Sequence, residues 1–166
     1  MPTLVLLRHG KSAYPDGLDD HERPLNERGR LEAPIAGRRL ADSLANEDSR
    51  AGERPGFDLA LISSAVRAQQ TWALAAPHLV VHDQLTRADL YLAELQELLE
   101  VVRALPASSK RVIFVGHNNG LEDLASALTE TDVRLKTSTF AVLECDIPWA
   151  QWADGCADLV QVVIAR

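Results

Sequence analysis

Three short polar clusters carry the residue types best suited to chemistry: Arg8-His9-Gly10, Ser63-Ser64 with Arg67, and Gly116-His117-Asn118. Each follows an apolar run. Arginines and histidines from these clusters, gathered into one cleft, would make a local positive pocket suited to a tetrahedral dianion such as phosphate. The planar fork of arginine contacts two phosphate oxygens at once, which an ammonium group cannot imitate. A unit-charge contact at about 4 Å is worth about 4 kcal/mol at an effective dielectric near 20, before desolvation is subtracted, so several together hold a phosphoryl group. A neutral histidine in line with that group attacks phosphorus and forms a covalent phosphohistidine, which water then hydrolyses; one difficult transfer becomes two easier ones. That chemistry requires no metal and no cofactor.

The clusters converge only if the strands before them lie side by side. Residues 3–7 form a short apolar run that ends abruptly in Arg-His-Gly, the pattern of a buried parallel strand opening into a loop at its carboxyl end. Residues 57–62 repeat it, ending in Ser63-Ser64 before a helical run over 66–76. The strongest strand signal, 111–115, leads through Gly116-His117-Asn118-Asn119-Gly120 into a helix over 121–128. Apolar spacing at Leu31, Ile35, Leu40 and Leu44 predicts a helix within 25–44, which Pro34 should kink or start later. A short strand is expected at 79–81, a helix over 93–105 stopped by Pro106, and further strands at 139–145 and 159–164. Alternating strands and helices imply an α/β fold, a three-layer α/β/α sandwich around a mostly parallel sheet, with ligands gathering at the carboxyl ends of the strands. Residues 12–24 read as a polar surface loop, and 45–56 as a charged, solvated connection.

A chain of 166 residues, 46% hydrophobic, suits one globular domain spanning 1–166 and builds a core without disulfide or metal staples. Its formal charge of -7 argues against electrostatic capture of nucleic acid or of an anionic membrane, so an anion site must be local. No apolar run approaches the roughly 20 residues of a membrane span, and the opening MPTLVLLRHG reaches charge too soon for a signal peptide; a cytoplasmic location is expected. Cys145 and Cys156 stand outside metal-binding spacings and read as reduced and structural. Ser63 and Ser64 read as helix caps, His21, His78 and His82 as surface or loop residues, and Trp72, Trp149 and Trp152 as core or rim aromatics.

The run Leu7-Arg8-His9-Gly10-Lys11-Ser12 resembles the RHG signature of the histidine phosphatase superfamily, which has the phosphoglycerate-mutase-like fold. Ser63-Ser64-x-x-Arg67-Ala68-x-Gln70-Thr71 resembles its second arginine motif, and Gly116-His117-Asn118 its second histidine motif. The resemblance implies that His9 is the phosphorylated nucleophile while Arg8, Arg67 and His117 bind and stabilise the phosphoryl group. The short chain and the loop Asp20-x-x-Arg23-Pro24-Leu25-x-x-x-Gly29 look most similar to the SixA-type phosphohistidine phosphatases, where Arg23 would add a phosphate or substrate contact.

One departure concerns the general acid. Members that cleave alkyl esters resemble one another in a carboxylate that protonates the leaving oxygen, and no residue of this chain stands in the familiar surroundings. The candidates are Asp89, Glu94 and Asp20, with Asp83, Asp16 and Asp19 as rivals. An imidazole leaving a phosphoramidate depends less on an acid than an alkoxide does. The expected substrate is therefore phosphohistidine on a partner protein. The alternatives are a small phosphorylated metabolite or, from another class, a non-catalytic phosphate-binding module.

Overall fold

The computed structural model describes residues 1–45 and 56–166; most of the connection expected at 45–56 lies outside the described residues. The three strands expected before the polar clusters are present: β1 (Thr3–Arg8), β3 (Leu59–Ser63) and β6 (Arg111–Gly116). A two-residue strand β2 (Gly56–Phe57) precedes β3 and pairs with β4 (Val80–Val81). The other strands are β5 (Gln84–Arg87), β7 (Thr139–Glu144) and β8 (Asp158–Ile164).

The main sheet has six strands in the order β5-β3-β6-β1-β7-β8. From β5 to β1 all neighbours are parallel, while β7 runs antiparallel to β1 and β8 antiparallel to β7. The register pairs Arg8 with Gly116, and Ile62 with Val115, so the carboxyl ends of β1, β3 and β6 finish level at one edge of the sheet. This is what brings the polar clusters together.

Helices cover both faces. Alternate residues of the central strands, Val5 and Leu7 of β1 with Ile113 and Val115 of β6, pack against α1 (Glu27–Ala45) and α2 (Val66–Ala75). Their neighbours, Leu4 and Leu6 with Val112 and Phe114, pack against α3 (Leu95–Arg103) and α4 (Gly120–Thr129). A strand buried on both faces has no polar side, which is why these segments read as continuous apolar runs. The result is the expected three-layer sandwich.

Two elements differ from the sequence expectation. Helix α1 starts at Glu27, well ahead of Pro34, and runs through the proline to Ala45, so the predicted late start does not occur. Its amphipathic packing against α2 and the sheet outweighs one missing backbone donor. Strand β5 has no apolar pattern because it is a short edge strand, and Leu85, the apolar residue at its centre, is half exposed. Closer to the site, Gly29 lies so near the loop after β1 that a Cβ there would stand 2.2 Å from the Lys11 carbonyl oxygen. Only a residue without a side chain lets α1 begin against that loop.

Candidate active site

The backbone around His9 is tied to its neighbours. The His9 N–H donates to the Gly116 carbonyl at 3.0 Å, and the Gly10 N–H to Thr71 Oγ1 at 2.9 Å. Thr71 in turn donates to the Arg67 carbonyl, 2.7 Å away, so the loop after β1 is fastened to the first turns of α2. The His9 ring is buried, with Nδ1 at 2.7 Å from the Gly10 carbonyl oxygen. A carbonyl only accepts, so Nδ1 carries the hydrogen and Nε2 keeps its lone pair. Arg67 Nε donates to that Nε2 at 3.3 Å, in agreement with this tautomer.

Burial pushes the His9 pKa down to about 3; the Gly10 hydrogen bond opposes the shift, and His117, Arg67 and Arg8 add to it. His117 is moved the same way, to about 4, chiefly by burial and then by Arg67. Both rings are therefore neutral at neutral pH, with centroids 5.1 Å apart. His117 Nε2 is hydrogen-bonded to Ser63 Oγ at 2.7 Å, and its Nδ1 has no partner among the described residues.

The cavity's arginines come from three parts of the chain, and Lys11 lines it beside them. Arg8, at the end of β1, donates from Nη1 to the Leu135 carbonyl at 2.9 Å. Arg67 lies in the first turn of α2, where it is almost wholly buried. Its Nη1 donates to the Asp20 carbonyl oxygen and its Nη2 to Asp20 Oδ2, at 2.6 and 2.9 Å. Arg23 donates to Asp20 Oδ1, to Ser12 Oγ and to the Ala13 carbonyl, and its guanidinium lies 4.1 Å from the centre of the Tyr14 ring. The three guanidinium groups line a cavity of about 300 Å³ with His9, His117 and Asp20.

The acid candidates separate clearly. Asp89 is held by the Arg87 fork at 2.6 and 2.9 Å on the exposed surface and does not line this cavity. Glu94 closes a capping box with Glu97 at the start of α3 and lines a neighbouring cleft of about 450 Å³. Asp20 alone of the three reaches the cavity. Its carboxyl is held well below the usual carboxylate range, first by the Tyr91 hydroxyl 2.5 Å from Oδ2 and then, against the opposing effect of burial, by Arg23 and Arg67. It is ionised and fully engaged by donors, which leaves it no proton to give.

Several details were not expected. The N-cap of α2 is Ala65, so neither serine before it is a side-chain cap; Ser63 holds His117, and Ser64 Oγ lies 2.8 Å from His21 Nε2. His21 lies in the loop, as expected, and there stands edge-on to Tyr91 with centroids 4.7 Å apart. Thr71, the last residue of the second arginine motif, belongs to the site's framework; so do Tyr91 and the Leu135 carbonyl, which nothing in their local sequence marks. His78 and His82 lie elsewhere, while Trp149 and Trp152 pack together in the core. Cys145 and Cys156 are both free thiols. No helix among the described residues is long and apolar enough to cross a membrane.

A three-layer sandwich with these motifs at one end of its parallel strands defines the class: the chain belongs to the histidine phosphatase superfamily and is a phosphatase. No family model matches it. It is 34% identical to the uncharacterized protein Rv1276c of Mycobacterium tuberculosis, over 96% of this chain and 100% of that one. Among solved structures it is similar to a candidate phosphohistidine phosphatase SixA from Nakamurella multipartitia, with a TM-score of 0.77, 29% identity and coverage of 99% and 96% of the two chains. A second candidate SixA, from Agrobacterium tumefaciens, gives a TM-score of 0.76 at 26% identity, covering 98% and 97%.

Proposed function

We propose that this protein is a cytoplasmic, metal-independent phosphohistidine phosphatase that removes the phosphoryl group from a histidine of a partner protein. In the first step His9 Nε2 attacks phosphorus, the bond from phosphorus to the substrate nitrogen breaks, and its electron pair leaves on the imidazole. Arg8, Arg67, Arg23 and His117 hold the phosphoryl oxygens and supply the charge stabilisation that a metal ion supplies elsewhere. In the second step water attacks the phosphorus on His9; the phosphorus to Nε2 bond breaks, the ring returns to neutral, and the proton of water passes to phosphate or solvent. The Gly10 carbonyl keeps the ring in the reactive tautomer through both steps.

One observation carries the choice of substrate. The carboxylate that reaches the cavity, Asp20, is ionised and saturated by Tyr91, Arg23 and Arg67, so it is a poor proton donor to a leaving group. An alkoxide needs such a donor, whereas an imidazole that already carries a proton on its other nitrogen leaves as a neutral molecule. The similarity to the candidate SixA proteins points to the same substrate class.

The test is turnover of a phosphohistidine-bearing protein, p-nitrophenyl phosphate and a panel of alkyl phosphomonoesters side by side, with His9→Ala as control. The expected result is His9-dependent turnover with strong preference for phosphohistidine, together with an acid-labile phosphoenzyme trapped by rapid quench. Efficient cleavage of the alkyl esters would identify a metabolite phosphatase instead. Phosphate binding without His9-dependent turnover would identify a binding module.

A further inference from the structure

Arg67 is the cation that touches the nucleophile, and its direction is set by one residue. A guanidinium carries its five N–H bonds in one plane: the two Nη groups share an outer edge, while Nε and the second hydrogen of Nη2 share an inner one. The inner edge meets His9, with Nε donating to Nε2 at 3.3 Å. The outer edge belongs to Asp20, whose carbonyl oxygen accepts from Nη1 at 2.6 Å and whose Oδ2 accepts from Nη2 at 2.9 Å. Among the described residues, no other group accepts a hydrogen bond from this side chain.

Asp20 is itself fixed. It opens the short 3-10 helix Asp20–Glu22, Tyr91 donates to the same Oδ2 at 2.5 Å, and Arg23 donates to Oδ1 from Nε and Nη2. The Tyr91 ring also lies 5.9 Å from the guanidinium carbon of Arg67. Tyr91 from beyond β5, Asp20 from the loop after β1 and Arg67 from α2 therefore form one chain of contacts that ends on His9 Nε2. A long arginine side chain loses much rotamer freedom when it is held, and two hydrogen bonds to a single anchored residue supply that hold.

We propose that Asp20 is a positioning residue for phosphoryl transfer: it grips the outer edge of Arg67 with its carboxylate and its own carbonyl, and so aims the inner edge at the space before His9 Nε2, where the phosphoryl group arrives. Tyr91 fixes Asp20 in turn. The inference rests on the His9 mechanism proposed above and applies to any phosphoryl substrate. As substrate binds, the Arg67 Nε–H passes from His9 Nε2 to a phosphoryl oxygen, which frees the lone pair for attack, and the second Nη2 hydrogen serves the same group. In the transition state these oxygens spread into the plane between the entering and leaving atoms. A guanidinium aimed in advance stabilises that arrangement more than it stabilises bound substrate, so loss of its aim appears in kcat. KM does not rise, because removing Asp20 also removes a negative charge from an anion-binding cavity.

The experiment measures kcat and KM of Asp20→Ala on whichever of a phosphohistidine peptide and p-nitrophenyl phosphate the wild type turns over faster. Alongside, it measures inhibition constants for inorganic phosphate and for vanadate, whose five-coordinate adduct on a histidine resembles the transition state. The ratio of the phosphate constant to the vanadate constant depends neither on the fraction of active protein nor on the general charge of the cavity. Asp20→Ala is expected to lower kcat by about tenfold without raising KM, and to lower that ratio by a similar factor. Asp20→Asn keeps a side-chain oxygen for Nη2 and is expected to return both quantities to within about threefold of wild type. Tyr91→Phe is expected to shift both in the direction of Asp20→Ala by about threefold, and it carries the test should Asp20→Ala fail to fold. An unchanged ratio, with or without a loss of kcat, would overturn the inference while the His9 mechanism stands. Tighter binding of both anions with a higher kcat/KM would make Asp20 a competitor for the cavity and would overturn it too. Turnover that survives His9→Ala would remove the mechanism and this inference with it.

Discussion

Replacing His9 by Asn tests the buried neutral imidazole through stability, independently of turnover. The Asn side chain keeps a donor where Nδ1–H meets the Gly10 carbonyl, but it does not titrate. In the native protein the His9 pKa is depressed from 6.5 to about 3. A base depressed in this way contributes stability that is fully present above its unfolded value and is lost as pH falls towards the folded one. At pH 4.5 the unfolded imidazole is charged while the folded one is neutral, which favours the unfolded chain by about 3 kcal/mol. Domains of this size are stable by only roughly 5–15 kcal/mol, so the effect is a large share of the total. Thermal or urea unfolding of both proteins at pH 7.5 and pH 4.5 gives a double difference in which all other titrating groups, including His117, are common to both chains. The wild type should lose about 3 kcal/mol more than His9→Asn on acidification, on the order of 10 °C in Tm. Equal losses would refute the claim that this ring is held neutral by burial.

Ser63→Ala removes the hydroxyl bonded to His117 Nε2 and should lower kcat by about tenfold while leaving the fold intact, as judged by circular dichroism and a thermal melt. Gly29→Ala drives a Cβ to within 2.2 Å of the Lys11 carbonyl oxygen; it should cost several kcal/mol and show as a much lower Tm or insoluble protein. Arg23→Ala removes one of the cavity's three guanidinium groups and a partner of Asp20, and should raise KM for anionic substrates by about tenfold in steady-state assays. Overnight treatment with EDTA should leave turnover unchanged; loss of activity restored by a divalent cation would contradict the metal-independent mechanism.

The strand ends were readable because each combines two strong signals: a continuous apolar run that only a strand buried on both faces tolerates, and an abrupt change to Arg, His, Ser or Gly. β1, β3 and β6 carry both signals, and their registers bring Arg8, His9, Arg67 and His117 around one cavity. β5 carries neither, being a polar edge strand. The fate of the acid candidates was also hidden, because it depends on distant partners: Asp20 is filled by Tyr91 from beyond β5 and by Arg67 from α2, and no local pattern records those contacts. Ser63 and Ser64 misled for the opposite reason. Serines before a helix usually cap it, but here the N-cap is Ala65 and both hydroxyls face histidines, while Ser63 Oγ also accepts the Ala65 N–H at 3.3 Å. Pro34 misled because propensity is a local quantity and packing is not.

The placement of the cations has a kinetic consequence. Three guanidinium groups face one carboxylate inside a cavity, while the chain as a whole carries a formal charge of -7. At low ionic strength, where the Debye length reaches about 30 Å, an approaching phosphorylated molecule meets the net negative field before it meets the arginines and is repelled; at physiological ionic strength the length falls to about 8–10 Å and most of that repulsion is screened. Salt therefore acts in two opposite senses, speeding encounter by screening the repulsion and weakening retention by screening the cavity. Capture by this protein should be fastest at intermediate ionic strength, unlike that of an enzyme whose whole surface attracts its substrate.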